Sequence, residues 1–393
     1  MDKLFAKRMD ELVPSGIRKV NEKALAMERA GETVIHFELG RPDFDTPEYI
    51  KNACIEDIKK GDVFYTSNFG TMELREAIAW KLKTQNNVEY KPTEIIVSVG
   101  LSEAVFDVMA AILDEGDEVL VPNPGWLNYL NVPKLLGAVP ITYTLKEEND
   151  YQIDLDEIRA KVTPRTKALV LITPSNPTGG VLAEDVLKEL AEIAVKNDIM
   201  IISDEVYERL LYDDAKHISI ASLPGMKERT ITLNGFSKAY SMTGWRLGWA
   251  VVPEYTIEAV DDLATNYYLC AHTPTQHAAL ACFTPESLAV CEERRQELLA
   301  RRRIVVSGLE RIGLPLEVVP NGAFYAYFSV AGTGLDAWTF CERALEEAHV
   351  ALTPGRDFGP ATADTHVRLS YAASREALTE GLSRLGKFVA SLR

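Results

Sequence analysis

The length, composition and charge of the chain restrict the classes of protein to which it can belong and the partners that it can bind. Its 393 residues are 47% hydrophobic and 25% charged, which is typical of a soluble globular protein with material for two or three domains. The formal net charge of −16 argues against non-specific binding to nucleic acid or to an anionic membrane, because both need a positive field.

The cysteines and the apolar runs indicate where the protein works. Five cysteines are scattered without a CxxC pair, a pattern that favours reduced thiols over a disulfide framework. The opening residues, MDKLFAKR, lack the apolar stretch of a secretory signal, and no apolar run approaches the ~20 residues needed to span a bilayer. We therefore expect a cytoplasmic protein that has no membrane partner.

Short apolar runs alternate with helical patterns between residues 95 and 251. Near-continuous apolar strands separated by helices are buried on both faces, which indicates an α/β fold with a mostly parallel sheet. The clearest helical pattern is 183–197, where the apolar residues form one stripe. The predicted strands are 95–99, 118–121, 138–143, 168–172, 199–203, 231–233 and 247–251.

The pattern changes after Pro285 and predicts a second, smaller α+β unit. The charged stretch 292–312 predicts an exposed helix crossed by salt bridges. A strand-like run at 323–328, a helix near 336–348 and a strand at 366–370 follow it. The expected division is an N-terminal segment, 1–47, that packs with the small domain, a large domain, 48–285, and the small domain itself, 286–393.

Lys238 is the most informative single residue. Small residues flank it, and it follows the apolar run 230–233, so its amine is a candidate for burial. Burial disfavours the ammonium form, and such a lysine can form a Schiff base with a carbonyl cofactor. An ordinary solvated surface lysine is the alternative that this segment alone leaves open.

Other candidate residues fall at the ends of predicted strands, where open α/β sheets bind their ligands. Leu101 and Ser102 open a helix after Gly100, and free N–H groups at such a helix start can hold an anion. Asn176 follows one strand and Asp204 ends another. Asn176 also fits a simple turn and Asp204 a helix N-cap, so each residue has a structural alternative.

Five separated motifs occur in an order and spacing that resemble those of one family. They are LGRPDF at 39–44, NPTG at 176–179, SDEVY at 203–207, SK at 237–238 with Arg246, and VRLS at 367–370. Over about residues 10 to 390 the chain resembles the class I aminotransferases, the aspartate aminotransferase-like group of fold-type I pyridoxal-phosphate (PLP) enzymes. The resemblance implies a PLP-dependent enzyme that moves an amino group from an L-amino acid to a 2-oxo acid by a ping-pong mechanism.

The resemblance also implies a role for each candidate near the cofactor ring. Lys238 would hold PLP covalently and, once displaced by substrate, would move the proton at the substrate's α-carbon. Asp204 would pair with the protonated pyridine nitrogen and make the ring a better electron sink. Tyr207 and Asn176 would hydrogen-bond the ring's phenolate oxygen, and Trp126 would stack on the ring face.

The cofactor phosphate has its own implied partners. Arg246 and the N–H groups of Leu101 and Ser102 would bind it, because a guanidinium stays charged and matches phosphate oxygens in pairs. Gly235 stands where many relatives carry a phosphate-binding serine. The hydroxyl of Ser237 is an imperfect substitute for that donor.

The substrate and a second subunit complete the implied site. Arg368 would clamp the α-carboxylate with help from the backbone at Gly40, beside Trp126 and Asn176. Tyr65 resembles the tyrosine that reaches the phosphate of the neighbouring subunit, which implies a homodimer with shared active sites. An ordinary interface or core tyrosine is the alternative for Tyr65.

The side-chain specificity is less well defined. Ser15 and Ile17 are expected to line the substrate side-chain pocket, and Ile17 favours an apolar wall. Some dicarboxylate-specific relatives place a cation on the helix after the phosphate loop, whereas 103–113 contains none. These features weaken a strict aspartate specificity.

Two other functions stay open at this point. A PLP-dependent lyase or another amino-acid-modifying enzyme can use the same scaffold, because the motifs fix the cofactor and not the fate of the carbanion. A PLP-sensing regulator with an aminotransferase-like body is the non-enzymatic alternative, which the negative net charge opposes.

Overall fold

A seven-stranded sheet with helices on both faces organises the first two thirds of the chain, and a smaller sheet follows. The computed structural model describes residues 5–392. The strands are β1 (Ile35–His36), β2 (Ile95–Ser98), β3 (Glu118–Asn123), β4 (Val139–Thr144), β5 (Thr166–Ile172), β6 (Met200–Asp204), β7 (Thr230–Gly235), β8 (Gly248–Val251), β9 (Tyr325–Ser329), β10 (Val350–Ala351), β11 (Thr353–Pro354) and β12 (His366–Ser370). The α-helices are α1 (Gly16–Arg29), α2 (Glu48–Lys60), α3 (Met72–Gln85), α4 (Leu101–Ile112), α5 (Asn128–Leu135), α6 (Leu155–Lys161), α7 (Glu184–Asn197), α8 (Ile257–Tyr267), α9 (Thr273–Leu280), α10 (Pro285–Arg311), α11 (Ala337–Ala348) and α12 (Arg375–Ser391).

The large sheet has the order β2-β8-β7-β6-β5-β3-β4. Strands β3 to β7 run parallel to one another, whereas β8 is antiparallel to both of its neighbours, β2 and β7. The predicted α/β fold with a mostly parallel sheet is therefore confirmed. The reversed direction of β8 was not visible in the sequence, because a central strand of either direction needs the same buried apolar residues.

The two faces of this sheet bury different sets of side chains. Val170 packs into a core with residues of α4 and α5, whereas its neighbours Leu169 and Leu171 pack on the opposite face with residues of α6 and α7. Successive residues of a strand point to opposite faces, so β5 needs apolar residues at consecutive positions, as it has from Ala168 to Ile172. The sheet is thereby fixed between two helical layers and carries its loops at a rigid edge.

The C-terminal part of the chain, from α10 onward, forms a second, smaller assembly of helices and strands. Its antiparallel sheet has the order β11-β12-β9, and it packs with α10, α11 and α12 around a core that includes Phe324 and Phe340. The N-terminal segment joins this part, since β1 pairs with β10 and α1 contacts α11. The domain boundaries 1–47, 48–285 and 286–393 stay predictions.

Helix α10 differs from its prediction in extent and burial. It begins at Pro285 rather than near residue 292, and it is not exposed throughout, since Leu298, Arg301 and Arg302 are buried. The two arginines are accommodated because Arg301 lies 2.6 Å from Asp43 and Arg302 lies 2.5 Å from Asp213. In residues 5–392, no helix combines the length and the apolar character that crossing a bilayer requires.

Candidate active site

A cleft of about 570 Å³ opens where β5, β6 and β7 end. This is the edge of a parallel sheet at which ligands are expected to bind. It brings together eleven of the predicted site residues: Gly40, Leu101, Ser102, Trp126, Asn176, Asp204, Tyr207, Ser237, Lys238, Arg246 and Arg368. Nearly the whole candidate site therefore forms one surface.

Lys238 lies in the wall of the cleft, shortly after β7 ends at Gly235. Its Nζ donates a hydrogen bond to the carbonyl oxygen of Gly40, at 2.6 Å. Burial lowers the pKa of Lys238 to about 8, with help from the positive charge of Arg368 and against the attraction of Asp204. The alternative of a freely solvated lysine does not apply, and a substantial fraction of its amine is neutral near pH 8.

Asp204 is the last residue of β6 and is buried. Its Oδ2 accepts from the Tyr129 hydroxyl at 2.9 Å, and its Oδ1 accepts from the Val206 N–H at 3.2 Å. Burial outweighs these hydrogen bonds and raises the pKa of Asp204 to about 6. The chain after Asp204 forms turns and not an α-helix, so the N-cap alternative does not apply.

Arg368 extends from β12 into the cleft and is almost fully buried. One terminal nitrogen donates to Asn176 Oδ1 at 2.7 Å, and the other donates to the carbonyl oxygen of Glu38 at 2.6 Å. Its guanidinium carbon lies 4.4 Å from the ring centre of Tyr325 and 4.9 Å from that of Phe358. A guanidinium has five N–H donors, and the described residues Asn176, Glu38 and Thr353 accept only three hydrogen bonds from it, so Arg368 keeps N–H groups for a ligand.

A candidate anion site lies in the same cleft, at the start of α4. Gly100 precedes the helix with φ 81°, a conformation that favours glycine, and a Cβ there would collide with the Arg246 guanidinium. Arg246 therefore sits against the helix start, where Leu101 and Ser102 line the cleft. The positive end of the helix and the guanidinium together suit a doubly charged anion.

Gly235 explains the missing phosphate-binding serine in steric terms. It pairs with Gly248 across β7 and β8, and a Cβ at Gly235 would lie 3.1 Å from the Leu247 carbonyl oxygen. A serine at this position would press on its neighbouring strand. Ser237 lies in the lining of the cleft instead.

A sequence profile described as aminotransferase class I and II matches residues 32–385. The chain belongs to this family. The predicted family and the predicted aminotransferase activity are confirmed, and the protein is an enzyme that transfers amino groups.

Relatives of this aminotransferase match it over nearly its whole length. It is 44% identical over 382 residues to the aspartate aminotransferase of Pyrococcus abyssi, an alignment that covers 97% of each chain. It is 42% identical over 382 residues to aromatic-amino-acid aminotransferase 2 of Thermococcus litoralis, again over 97% of each chain. A solved structure of a single mutant of Thermus thermophilus aspartate aminotransferase matches with a TM-score of 0.92 and 39% identity, covering 98% of this chain and 99% of that one.

Two residues that were expected at the site of the aminotransferase, Ser15 and Tyr65, do not line the cleft. Ser15 does not line the cleft, because its hydroxyl donates to Asp357 at 3.2 Å, whereas Ile17 does line it. Tyr65 is 82% exposed and lies outside the cleft of its own chain. A contribution of Tyr65 to an active site would therefore have to be made to a second subunit.

Sequence reasoning missed three residues of the aminotransferase that contact residues of the cleft. Tyr325 and the backbone of Glu38 contact Arg368, and Tyr129 donates to Asp204. Tyr325 and Glu38 also belong to the lining of the cleft. The run 323–328 predicted a strand, but its pattern alone did not show which side chains turn toward the large sheet.

Proposed function

We propose that this aminotransferase uses PLP, bound covalently at Lys238, to move an amino group from an L-amino acid to a 2-oxo acid by a ping-pong mechanism. The observation that carries the proposal is one cleft holding an amine of lowered pKa, Lys238, beside a buried carboxylate, Asp204. Such paired shifts are characteristic of catalytic groups.

The residues of the cleft fit this cofactor. Asp204 is buried, and within residues 5–392 no cation forms an ion pair with it, so a protonated pyridine nitrogen would compensate its charge. Arg246 and the start of α4 would hold the phosphate, and Tyr207 and Trp126, which line the same cleft, would contact the ring. When bound, PLP supplies an electron sink for negative charge at the substrate's α-carbon.

Two side chains of the cleft have separate roles toward the substrate. Arg368 binds the substrate's α-carboxylate, since it lines the cleft, is held by Asn176 and Glu38, and has N–H groups beyond those two hydrogen bonds. This contact fixes the α-carbon relative to Lys238. The Lys238 amine acts as the general base that removes the α-proton and returns it, for which a pKa of about 8 is suitable.

We also propose that the enzyme is a cytoplasmic homodimer with shared active sites. Three exposed aromatic side chains, Phe64, Tyr65 and Tyr267, support the dimer. Phe64 and Tyr65 lie on one segment and Tyr267 on another, and the hydrogen bond from Asn68 to Thr265 joins the two segments. The five cysteines are free thiols, which fits a reducing compartment.

The Lys238→Ala variant tests the proposed function. We expect transamination to fall by about 10³-fold or more, because the variant lacks both the covalent link and the general base. Borohydride reduction of PLP-loaded wild-type protein, followed by peptide mapping, should place the label on the peptide that contains Lys238. A label on another lysine, or full activity of the variant, would overturn the proposal.

A second measurement separates amino transfer from the lyase alternative. Amino acids are supplied to the PLP-loaded enzyme first without and then with a 2-oxo acid. The proposed mechanism gives one equivalent of oxo product per active site without the acceptor and sustained turnover with it. Sustained product formation without any acceptor would instead indicate elimination or decarboxylation.

A further inference from the structure

Tyr325 contacts both halves of the proposed active site. Its hydroxyl lies 2.7 Å from the hydroxyl of Tyr207, and its ring faces the guanidinium of Arg368. Tyr325 starts β9, in the smaller sheet, whereas Tyr207 follows β6 of the large sheet. One side chain thus joins the residue proposed to bind the cofactor ring to the residue proposed to bind the substrate.

The position of the Tyr325 hydroxyl is tightly restricted. A Cβ at residue 40 would collide with the hydroxyl in its present position, so Gly40 permits this close approach, and the Gly40 carbonyl in turn accepts from Lys238. Phe324 packs against both tyrosine rings, with centroids 4.7 Å from Tyr325 and 5.5 Å from Tyr207. The side chain is almost fully buried. The hydroxyl therefore has little freedom to leave Tyr207.

The hydrogen bond between the Tyr207 and Tyr325 hydroxyls has one favoured donor when the cofactor is bound. If Tyr207 gives its proton to the phenolate oxygen of the bound cofactor, its own oxygen is left as an acceptor. The Tyr325 hydroxyl is placed to donate to that oxygen. A donated hydrogen bond polarises the second phenol and makes it the stronger donor, and this cooperativity is greater in a buried site than in water.

We propose that Tyr325 is a positioning residue that acts through Tyr207. It donates to Tyr207, directs the Tyr207 proton to the cofactor's phenolate oxygen, and at the same time supports Arg368 with its ring. The inference rests on the proposed function, since it requires PLP in the cleft. It assigns to a residue of the smaller sheet an influence, exerted through Tyr207, on the protonation of a cofactor bound at the large sheet.

The Tyr325→Phe variant tests the hydroxyl without removing the ring. The measured quantity is the pH midpoint of the absorbance change of the bound cofactor. We expect the midpoint to rise by about half a pH unit to one unit, because the phenolate loses stabilisation. The KM for the amino donor should change little, since Arg368 keeps its aromatic contact.

A double variant separates this role from simple packing. Tyr207→Phe alone should raise the midpoint further than Tyr325→Phe, and the combination of both changes should equal Tyr207→Phe, because Tyr325 acts only through Tyr207. Additive shifts, or an unchanged midpoint in Tyr325→Phe, would overturn the proposal. If the phenylalanine variant fails to fold, 3-fluorotyrosine at position 325 keeps the shape, and its more acidic hydroxyl should lower the midpoint.

Tyr327→Phe is the matched control. Tyr327 lies on the same strand, is buried, and bonds Thr362 at 2.5 Å, but it does not line the cleft. The control loses a comparable hydrogen bond, so its unfolding midpoint should resemble that of Tyr325→Phe while its absorbance midpoint stays at the wild-type value. Wild-type protein without any cofactor absorbance would refute the proposed function, a result distinct from every outcome above.

Discussion

Asp204 and Lys238 share one cleft, and the protein displaces their pKa values in opposite directions. Burial raises that of the carboxyl to about 6 and lowers that of the amine to about 8. Both shifts have the same meaning, because each disfavours the charged form. The ionised form of Asp204 is therefore buried at a free-energy cost that a positively charged ligand would relieve.

Asp204→Asn should stabilise the cofactor-free protein at pH 8 while abolishing transamination. A rise from 3.8 to about 6 corresponds to about 3 kcal/mol lost when the ionised group is buried. Because the folded pKa lies above the unfolded one, this cost is complete above pH 6 and shrinks as the pH falls toward 3.8. The asparagine can still accept from Val206 and donate to Tyr129. Urea unfolding at pH 8 and pH 5 measures the effect.

Asp214→Asn provides the control for this prediction. Asp214 is exposed, and among the described residues it forms no ion pair, so its replacement should leave the unfolding free energy within about 0.5 kcal/mol of the wild type. A less stable Asp204→Asn variant at pH 8 would show that the carboxylate is favourably paired even without a ligand.

At the scale of residues, the sequence predicted most residues of the site but not the hydrogen bonds that some of them make with residues distant in sequence. Lys238, Asp204 and Arg368 were identified because motifs preserve residue types at fixed spacing. Tyr325 was missed, since its contact with Tyr207 depends on how the small sheet lies against the large one. Ser15 was misplaced for a similar reason, because its hydroxyl is taken up by Asp357, more than 300 positions away in sequence.

At the scale of elements, a buried charge pair fastens α3 to the large sheet. Lys81 is buried and forms an ion pair with Glu208, which also accepts from Asn86 and from Asn234 of β7, each at 2.8 Å. Burial opposes ionisation of Glu208, but the Lys81 ammonium and the hydrogen bonds outweigh it and hold the pKa of Glu208 at about 2. The helix and the sheet edge are therefore joined by charge as well as by apolar packing.

Glu208→Gln should destabilise the protein by about 3–5 kcal/mol at pH 7, because it leaves the buried ammonium of Lys81 without a counter-charge. The folded pKa of Glu208 lies below its ordinary value of 4.5, so the stability from this pair is complete above pH 4.5 and declines as the pH falls toward 2. Adding Lys81→Met should recover part of the loss. Urea unfolding curves at pH 7 compare the variants.

Lys83→Gln is the matched control on the same helix. It breaks the exposed pair between Lys83 and Glu89, and exposed pairs contribute about 0–1 kcal/mol. A Glu208→Gln variant as stable as Lys83→Gln would mean that water reaches Lys81 and replaces its partner.

The sequence predicted the existence of helices and strands more accurately than their boundaries or the burial of their side chains. Apolar runs located all seven strands of the large sheet, because strands buried on both faces are rich in consecutive apolar residues. The charged stretch 292–312 predicts a start for helix α10 that is seven residues too late, since its first turn, which begins at Pro285, carries little apolar pattern. Its buried arginines were read as exposed because their partners, Asp43 and Asp213, are distant in sequence.

At the scale of the whole molecule, one chain leaves a patch of apolar side chains uncovered beside the active-site unit. Phe64, Tyr65, Tyr267 and Leu269 are all exposed. Thr273 also donates to the Phe64 carbonyl, so the segment near Tyr65 is held against α9. Large exposed aromatic groups on an ordered segment are typical of an interface, which is the reason for expecting a second copy of the chain here.

Complementation between inactive subunits tests whether the active sites are shared. Lys238→Ala and Tyr65→Ala are defective at different positions, and in the proposed dimer Lys238 and Tyr65 of the partner subunit serve the same site. A hybrid of the two variants then contains one site with both residues intact. Random reassociation should restore about a quarter of the wild-type activity at limiting PLP.

The pair Lys238→Ala and Arg368→Ala supplies the contrast. Both residues line the cleft of one chain, so every site of their hybrid lacks one of them, and mixing should restore nothing. Recovery with Tyr65→Ala but not with Arg368→Ala therefore requires a site built from two chains. No recovery in either mixture would show that each subunit completes its own active site and that the exposed aromatic segment has another purpose, whereas equal recovery in both would contradict the assignment of Lys238 and Arg368 to the cleft of one chain.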